Sequence, residues 1–426
     1  MSLHAIDDAV AVVLAGGRGS RLAPLTDHCA KPALPFAGSF RTMDFVLSNC
    51  LNSGLNRIGV LTQYHSSSLI RYLSRSWQPL YTGPYRSLDI WPAEQRPDPH
   101  WFEGTADAVY RNLDQIQRYR PRHVLVLAAD HVYRMDYRAM LDEHERRGAS
   151  VSIGCIEVAA SQCRHFGVMR VHDDGYIRRF VEKPASPMDL MTTHGGVIAS
   201  MGIYVFETST LVDLLSEDAG QPGSHHDFGR DIIPRLVRSG STAVRAHRFH
   251  DPAADGPAYW RDVGTLDAYW HAHLEMAQPC PPIDLADPAW PVRGETTASA
   301  PPRLMCDPVS GQPSVSFNSL IAPGCEIQGA LVRESVLYPH VHVGGRSVIE
   351  RSVVLPGARI GADCRISNAI VCAGHHVPAG TVVGEERQAD AVTCLRSEGG
   401  IAVVTPGGTY AAEDGRSEAY LPVHWH

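Results

Sequence analysis

No stretch of this chain is apolar for long enough to cross a membrane. The strongly apolar run Ala9–Ala15 covers seven residues, where a spanning helix needs about 20. The ten cysteines include no CxxC pair, so a zinc ribbon and a dithiol redox motif are both without support, and reduced thiols are expected. The histidine pairs 225–226 and 375–376 and the terminal Val-His-Trp-His lack the spacing and cysteine partners of a zinc site. The opening MSLHAIDDAV has no leader pattern, and a soluble, cytoplasmic protein is expected. Positive charge is not in excess either: 38 Lys plus Arg face 46 Asp plus Glu, for a formal charge of −8. That balance argues against nucleic acid or an anionic membrane as the main partner. It leaves nucleotide binding open, because a phosphate needs only a few local cations and backbone N–H groups.

At 426 residues the chain exceeds one ordinary core, and two domains are expected. Short apolar runs at 9–15, 57–61, 123–128, 151–157 and 201–206 read as strands. Stretches with helical spacing at 41–53, 107–118 and 137–147 lie between them. This alternation predicts an α/β domain with a mostly parallel sheet, whose ligands sit at the carboxyl ends of the strands. Seven prolines between 279 and 302 read as a linker. Beyond it, aliphatic residues recur every six positions at Ile321 and Ile327, at Leu337, Val343, Ile349 and Leu355, at Ile360 and Ile366, and at Val377 and Val383. A hexapeptide period predicts a parallel β-helix, in which each coil buries its aliphatics by stacking on the next. The expected division is a catalytic domain over 1–277, a linker over 278–313, and a β-helix with its tail over 314–426.

The strongest chemical signal directly follows the first strand: Leu14-Ala-Gly-Gly-Arg-Gly-Ser-Arg-Leu22. It is neither GxxxxGK[ST] nor GxGxxG. Gly16, Gly17 and Gly19 let the backbone approach a triphosphate and aim N–H groups at it, and Arg18 and Arg21 add charge-assisted bonds. Ala30-Lys31-Pro32-Ala33 follows at short range and supplies an ammonium. Asp130, after the 123–128 strand, and Asp262, in Trp-Arg-Asp-Val-Gly, are candidate metal ligands. Glu182-Lys183 at another strand end is a candidate grip on a sugar phosphate. Trp77, Trp260 and Trp270 read as packing residues.

The opening LAGGRGSRL…AKPA…FRTMDFVLSNC…TQY resembles the nucleotidyltransferases that make nucleotide sugars, and more narrowly the bacterial glucose-1-phosphate adenylyltransferases. GTADAV (104–109), ADHVY (129–133), FGVM (166–169), FVEKP (180–184), SMGIYVF (200–206), HDFGRDIIP (226–234) and YWRDVGT (259–265) agree in order and spacing, so the resemblance runs from about 9 to about 404. It implies a left-handed β-helix after the catalytic domain, and adenylyl transfer from ATP to glucose 1-phosphate, giving ADP-glucose for α-glucan synthesis. It also implies Mg²⁺ held by Asp130 and Asp262, with Asp130, Arg21 and Lys31 catalytic. The implied nucleotide set is Leu14, Gly16, Gly17, Gly19, Arg21, Gln95, Gly104 and Thr105. The implied glucose 1-phosphate set is Phe102, Gly167, Glu182, Lys183 and Ser200, with Phe102 standing where close relatives carry Tyr.

The family is usually an allosteric homotetramer. Gln63 and Trp101 match positions that relay its regulatory signal, and His28 and Arg41 stand where a phosphorylated effector would be met. His28-Cys29 replaces the Lys-Arg pair of one activator type, and the tail after Val404 departs from the pattern, so the effector is left open. Ala129 replaces the usual glycine, which matters only if that position needs a positive φ. Three rivals stay open: transfer to another nucleotide sugar, a non-catalytic regulatory subunit, and an added acyltransferase using His340 or His342.

Overall fold

In the computed structural model the described residues are 5–93, 101–240, 243–251, 258–295, 299–385 and 394–405. Gln95 and the tail beyond 405 lie outside them. Two compact units are distinguished by internal packing. The first lies within 1–18, 43–260 and 286–292, the second within 19–42, 261–285 and 293–426. Among the described residues no helix is long and apolar enough to cross a membrane.

The first unit is built on a nine-stranded sheet. Its strands in chain order are β1 (Ala9–Ala15), β2 (Arg57–Thr62), β3 (Ser87–Pro92), β4 (His123–Ala128), β5 (Val151–Ala159), β6 (Gly167–Val171), β7 (Ile177–Glu182), β8 (Gly196–Glu207) and β9 (Val244–Arg248). β1 carries a continuous apolar run because it is central and covered on both faces, and Val10 to Val13 are wholly buried. It pairs in parallel with β2 and β4, and β2 with β3. This is the parallel sheet that the alternation predicts. The other half is antiparallel through the long β8, which pairs with β4, β5 and β6, and through the β6–β7 hairpin. The sheet is therefore mixed. Its antiparallel strands carry alternating exposure (β7 reads Ile177 buried, Arg178 and Arg179 exposed, Phe180 buried), a weaker signal than a solid apolar run.

The β8 ladder slips between Ser200 and Ile203, and Gly202 in the slip has φ +67°. A bulge of this kind bends the strand and re-aims its side chains, and here it turns Ser200 off the regular pleat.

In the second unit, three parallel ladders make the left-handed β-helix. Val332, Ile349, Ile366 and Val383 stack in register seventeen residues apart, all fully buried. Coils of sixteen or seventeen residues rather than eighteen explain why the six-residue period in the sequence slips by one or two at each turn. Small hydroxyls serve the corners: Ser352 N donates to Ser335 Oγ at 3.1 Å, and Ala369 N donates to Ser352 Oγ at 3.2 Å.

Described residues on both sides of 296–298 within 278–313 are fastened by pairing. In the first unit Asn52 Nδ2 donates to Pro291 O, Trp290 Nε1 donates to Asn49 Oδ1, and Arg134 pairs with Asp287 at 2.8 Å. In the second, Arg303–Met305 already pairs with Glu326–Gln328, so β-helix pairing begins before 314.

Candidate active site

In the first unit, β1 ends at Ala15 and the chain turns through Gly16 and Gly17 at the carboxyl end of the parallel strands, where the fold class places ligands. A methyl at Gly16 would sit 3.3 Å from Gln63 Cβ, whereas one at Gly17 would meet nothing. Gln63 Nε2 in turn donates to the Phe102 carbonyl at 3.4 Å, so Gln63 joins the glycine loop to the 101–105 segment. Leu14 and Phe102 pack against the core, and Trp101 is exposed. Gly104 precedes the helix Thr105–Tyr110, and a β-carbon there would overlap the His226 carbonyl oxygen. The Thr105 hydroxyl donates to Asp227 Oδ2 at 2.9 Å and accepts from Phe228 N at 3.1 Å. Both expected nucleotide residues are thus engaged with the 226–228 segment.

Asp130 follows β4 directly. Ala129 is fully buried and keeps a negative φ, so the alanine in place of glycine is accommodated without strain. His131 Nε2 lies 3.5 Å from Asp130 Oδ1, and its Nδ1 donates to the Met201 carbonyl at 3.0 Å. Its ring packs edge-on against Trp260 at 4.9 Å. A methyl at Gly202 would touch His131 Cε1 and Ala128 Cβ at 3.4 Å. The bulge therefore lies against His131 and Ala128. Ser200 Oγ is buried, accepts from Gly202 N at 3.3 Å and lies 3.5 Å from the Tyr204 hydroxyl.

Glu182 ends β7, and its carboxylate lies in a slot between two glycines. β-Carbons at Gly167 and Gly229 would each fall 2.7 Å from Glu182 Oε2. Lys183 Nζ pairs with Glu182 Oε1 at 2.8 Å. Its backbone N donates to the Phe166 carbonyl at 3.0 Å, and its φ of +45° turns the chain out of the strand. The Lys183 side chain is more than half exposed.

The second unit holds a separate cluster. Gly19 has φ +67°, and a β-carbon there would press to 3.0 Å on both Lys31 Cβ and Thr26 Cγ2, so glycine is what lets the loop lie on Lys31. Lys31, 8% exposed, stands 3.7 Å from Asp262 Oδ1. That oxygen is buried and receives no hydrogen bond. A β-carbon at Gly264 would fall 2.8 Å from Asp262 Oδ1 and 3.0 Å from Arg21 Nη2, so Arg21, Lys31 and Asp262 form one cluster. Arg41 donates to the Ala33 carbonyl at 2.9 Å and pairs with Glu295 at 3.4 Å. His28 is exposed.

Reading the residues one by one overlooks Gly202, Gly229, Gly264, Asp227 and His131. Each lies inside a motif that the sequence displays, but only a close approach in space distinguishes a glycine that makes room for a carboxylate from one in a plain turn. Trp77 and Trp270 pack as read, with indole N–H groups donating to Asp44 Oδ1 and the Arg351 carbonyl.

Residues 10–279 match the nucleotidyl transferase family, and residues 301–404 match the GlmU-like C-terminal hexapeptide family. Among curated proteins, a glucose-1-phosphate adenylyltransferase of Yersinia pseudotuberculosis is 45% identical over 401 residues, covering 93% of both chains. One from Novosphingobium aromaticivorans is 46% identical over 403 residues, covering 93% of this chain and 96% of that one. One from Albidiferax ferrireducens is 44% identical over 401 residues, covering 93% and 94%.

Proposed function

The chain belongs to the glucose-1-phosphate adenylyltransferases, and from that premise we propose how its residues divide the work. The reaction joins ATP and glucose 1-phosphate into ADP-glucose and pyrophosphate. A phosphate oxygen of the sugar attacks the α-phosphorus of ATP and pyrophosphate leaves. The nucleophile is already an anion, so no general base is needed. Charge repulsion and alignment are the obstacles, and positioning and electrostatics are the means.

On this reading Gly16, Gly17 and Gly19 bring backbone N–H groups to the triphosphate, with Leu14, Gln95, Gly104 and Thr105 on the nucleotide side. Arg21 and Lys31 draw the phosphates into line. Burial of Lys31 strengthens its field, because little water screens it. Lys183 holds the sugar phosphate, and Glu182 accepts from sugar hydroxyls alongside Phe102, Gly167 and Ser200.

Nucleotidyltransferases of this type generally use a divalent metal, and we assign Asp130 and Asp262 as the Mg²⁺ ligands. A buried carboxylate oxygen with no hydrogen bond, as at Asp262, fits a hard cation that prefers oxygen ligands. When bound, the ion would neutralise charge on the departing pyrophosphate. Gln63 and Trp101 are assigned to the relay of a regulatory signal, and His28 and Arg41 to a phosphorylated effector. Homotetrameric assembly and a cytoplasmic location complete the reading.

The observation that carries it is the cluster of Arg21, Lys31 and Asp262 in a chain so similar to these enzymes. The test is pyrophosphate release by the purified protein with Mg²⁺ and glucose 1-phosphate, comparing ATP, UTP, dTTP and GTP. Release with ATP alone is expected. Release with another nucleotide would overturn the base preference, and none with any would favour a regulatory subunit.

A further inference from the structure

A second hydrogen-bonded system lies behind the Glu182 slot, built on residues not assigned so far to substrate and reaching Thr105 on the nucleotide side. Its centre is His226, a non-glycine residue with φ +50°. That backbone turns the His226 carbonyl onto the start of the helix Thr105–Tyr110, where it accepts from Ala106 N at 2.7 Å and Asp107 N at 3.2 Å. The first N–H groups of a helix have no partner within it, and the preceding residue, Gly104, has no side chain to serve them. One carbonyl from a distant segment serves two. The next residue, Asp227, repeats the connection through Thr105. It also caps the following turn, with Oδ1 accepting from Arg230 N at 3.0 Å. Gly229 lies in that turn, against Glu182.

What holds His226 in this conformation is Asp218. This residue is 2% exposed. Oδ2 accepts from His226 Nδ1 at 2.8 Å, Oδ1 accepts from the Ser224 hydroxyl at 2.9 Å, and Arg235 Nη1 stands 3.6 Å from Oδ1. The Ser224 oxygen accepts from His226 N at 3.0 Å. Ring and backbone of His226 are therefore both tied to one buried carboxylate. Glu103 Oε2, 3.8 Å from His226 Nε2, faces the other ring nitrogen.

We infer that Asp218 and His226 are positioning residues that lock the 226–229 segment to the 101–105 segment, so that the grip on glucose 1-phosphate and the nucleotide-side wall are set by one latch. The inference rests on the assignment of Glu182 and Lys183 to the sugar phosphate. Without its ring anchor, residue 226 relaxes toward negative φ, the favoured region for side-chain-bearing residues. The carbonyl then leaves Ala106 and Asp107, and the turn carrying Gly229 shifts against Glu182. Affinity for both substrates falls together, which loss of a contact to one substrate does not produce.

The experiment compares full-length His226→Ala, His226→Asn, Asp218→Asn and Lys183→Ala in steady-state ADP-glucose synthesis, with thermal melting of each. In His226→Ala the KM for glucose 1-phosphate and the KM for ATP are both expected to rise by about tenfold, the scale of one hydrogen bond to a charged group. Asparagine tolerates the left-handed backbone and its amide can still donate to Asp218, so His226→Asn should recover most of the loss. Asp218→Asn, the milder change, swaps a charged acceptor for a neutral one of about half the strength, and both KM values should rise by about threefold. Unchanged KM values in His226→Ala, or in Asp218→Asn should the alanine variant fail to fold, overturn the latch. So does a His226→Asn protein no better than His226→Ala. A role in folding alone would lower the melting temperature and leave both KM values in place. Lys183→Ala separates the two claims: if it leaves the KM for glucose 1-phosphate unchanged, the underlying assignment fails, and if only Lys183→Ala raises it, the latch alone fails.

Discussion

Replacing Gly229 by alanine adds one methyl group at the point where the Glu182 carboxylate rests. The new β-carbon would lie 2.7 Å from Glu182 Oε2, against about 3.3 Å for an ordinary carbon–oxygen contact. The carboxylate must therefore retreat by roughly 0.6 Å, and Lys183, paired to its other oxygen at 2.8 Å, moves with it or loses the pair. A displacement of about 1 Å in a positioned group can cost around 10²-fold in rate. A fall of about 10- to 50-fold in kcat/KM for glucose 1-phosphate is expected, or about 1.4–2.3 kcal/mol of transition-state stabilisation. Stability should hardly change. Gly229 lies in the helical turn Phe228–Ile232, where alanine gains about 0.5–1 kcal/mol over glycine, and the obstructing atom ends a flexible side chain. The control is Gly167→Ala, whose methyl would meet the same carboxylate oxygen and also overlap the buried ring of Phe180. That variant should lose both kcat/KM and about 1–3 kcal/mol of stability. The assay is ADP-glucose formation against glucose 1-phosphate at saturating ATP, beside calorimetric melting. A Gly229→Ala protein with kcat/KM within twofold of the parent would refute the placement of Glu182 at the sugar phosphate.

Three further outcomes follow from the same structure. Asp130→Asn should melt normally and lose about 10²–10³-fold in turnover, as when one preorganised electrostatic group is removed, and parental turnover in the folded variant would take Asp130 out of the mechanism. Burial lowers the pKa of His144, His273 and His375 to about 4, below the roughly 6.5 of a free imidazole. Stability is therefore fully present above pH 6.5 and drains as pH falls toward 4, by up to about 1.4 kcal/mol per pH unit for each ring. Urea titrations between pH 7 and 4.5 should show that slope, and replacing His375 with Gln should make it shallower. Ile349→Ala removes a side chain stacked between Val332 and Ile366 and should cost about 2–5 kcal/mol, read as a shift in denaturant midpoint.

The parallel centre of the sheet was legible because buried strands write solid apolar runs, and 9–15 and 123–128 carry the same bounds in sequence and structure. The β6–β7 hairpin was legible only as a strand end at Glu182, because half-exposed strands such as Ile177–Glu182 leave charged residues showing. The β-helix was legible from its period, but its start at Arg303 fell among prolines that mask a short strand. Charged side chains hide their partners more thoroughly. Glu143 meets His247 at 2.6 Å and Glu145 meets His123 at 3.0 Å. Helical spacing reveals which acids share a face but not which buried histidine lies across from them.

The second unit shows why a boundary drawn from periodicity differs from one drawn from packing. The helix Leu266–Met276 begins four residues after Asp262 and buries Tyr269, Trp270 and His273. Trp270 Nε1 donates to the Arg351 carbonyl at 2.8 Å. His273 Nδ1 donates to the Tyr269 carbonyl, which can only accept, so Nε2 accepts from the Tyr338 hydroxyl at 2.6 Å. Asp267 takes the Ser397 hydroxyl at 2.5 Å. The same helix holds the segment that carries Lys31, through the Tyr269 hydroxyl on the Pro35 carbonyl and the Phe36 ring against His273. The segments carrying Lys31 and Asp262 thus meet a helix whose buried side chains bond to β-helix residues. Those coils do more than stack on one another. Through this helix they help hold Lys31 and Asp262 3.7 Å apart.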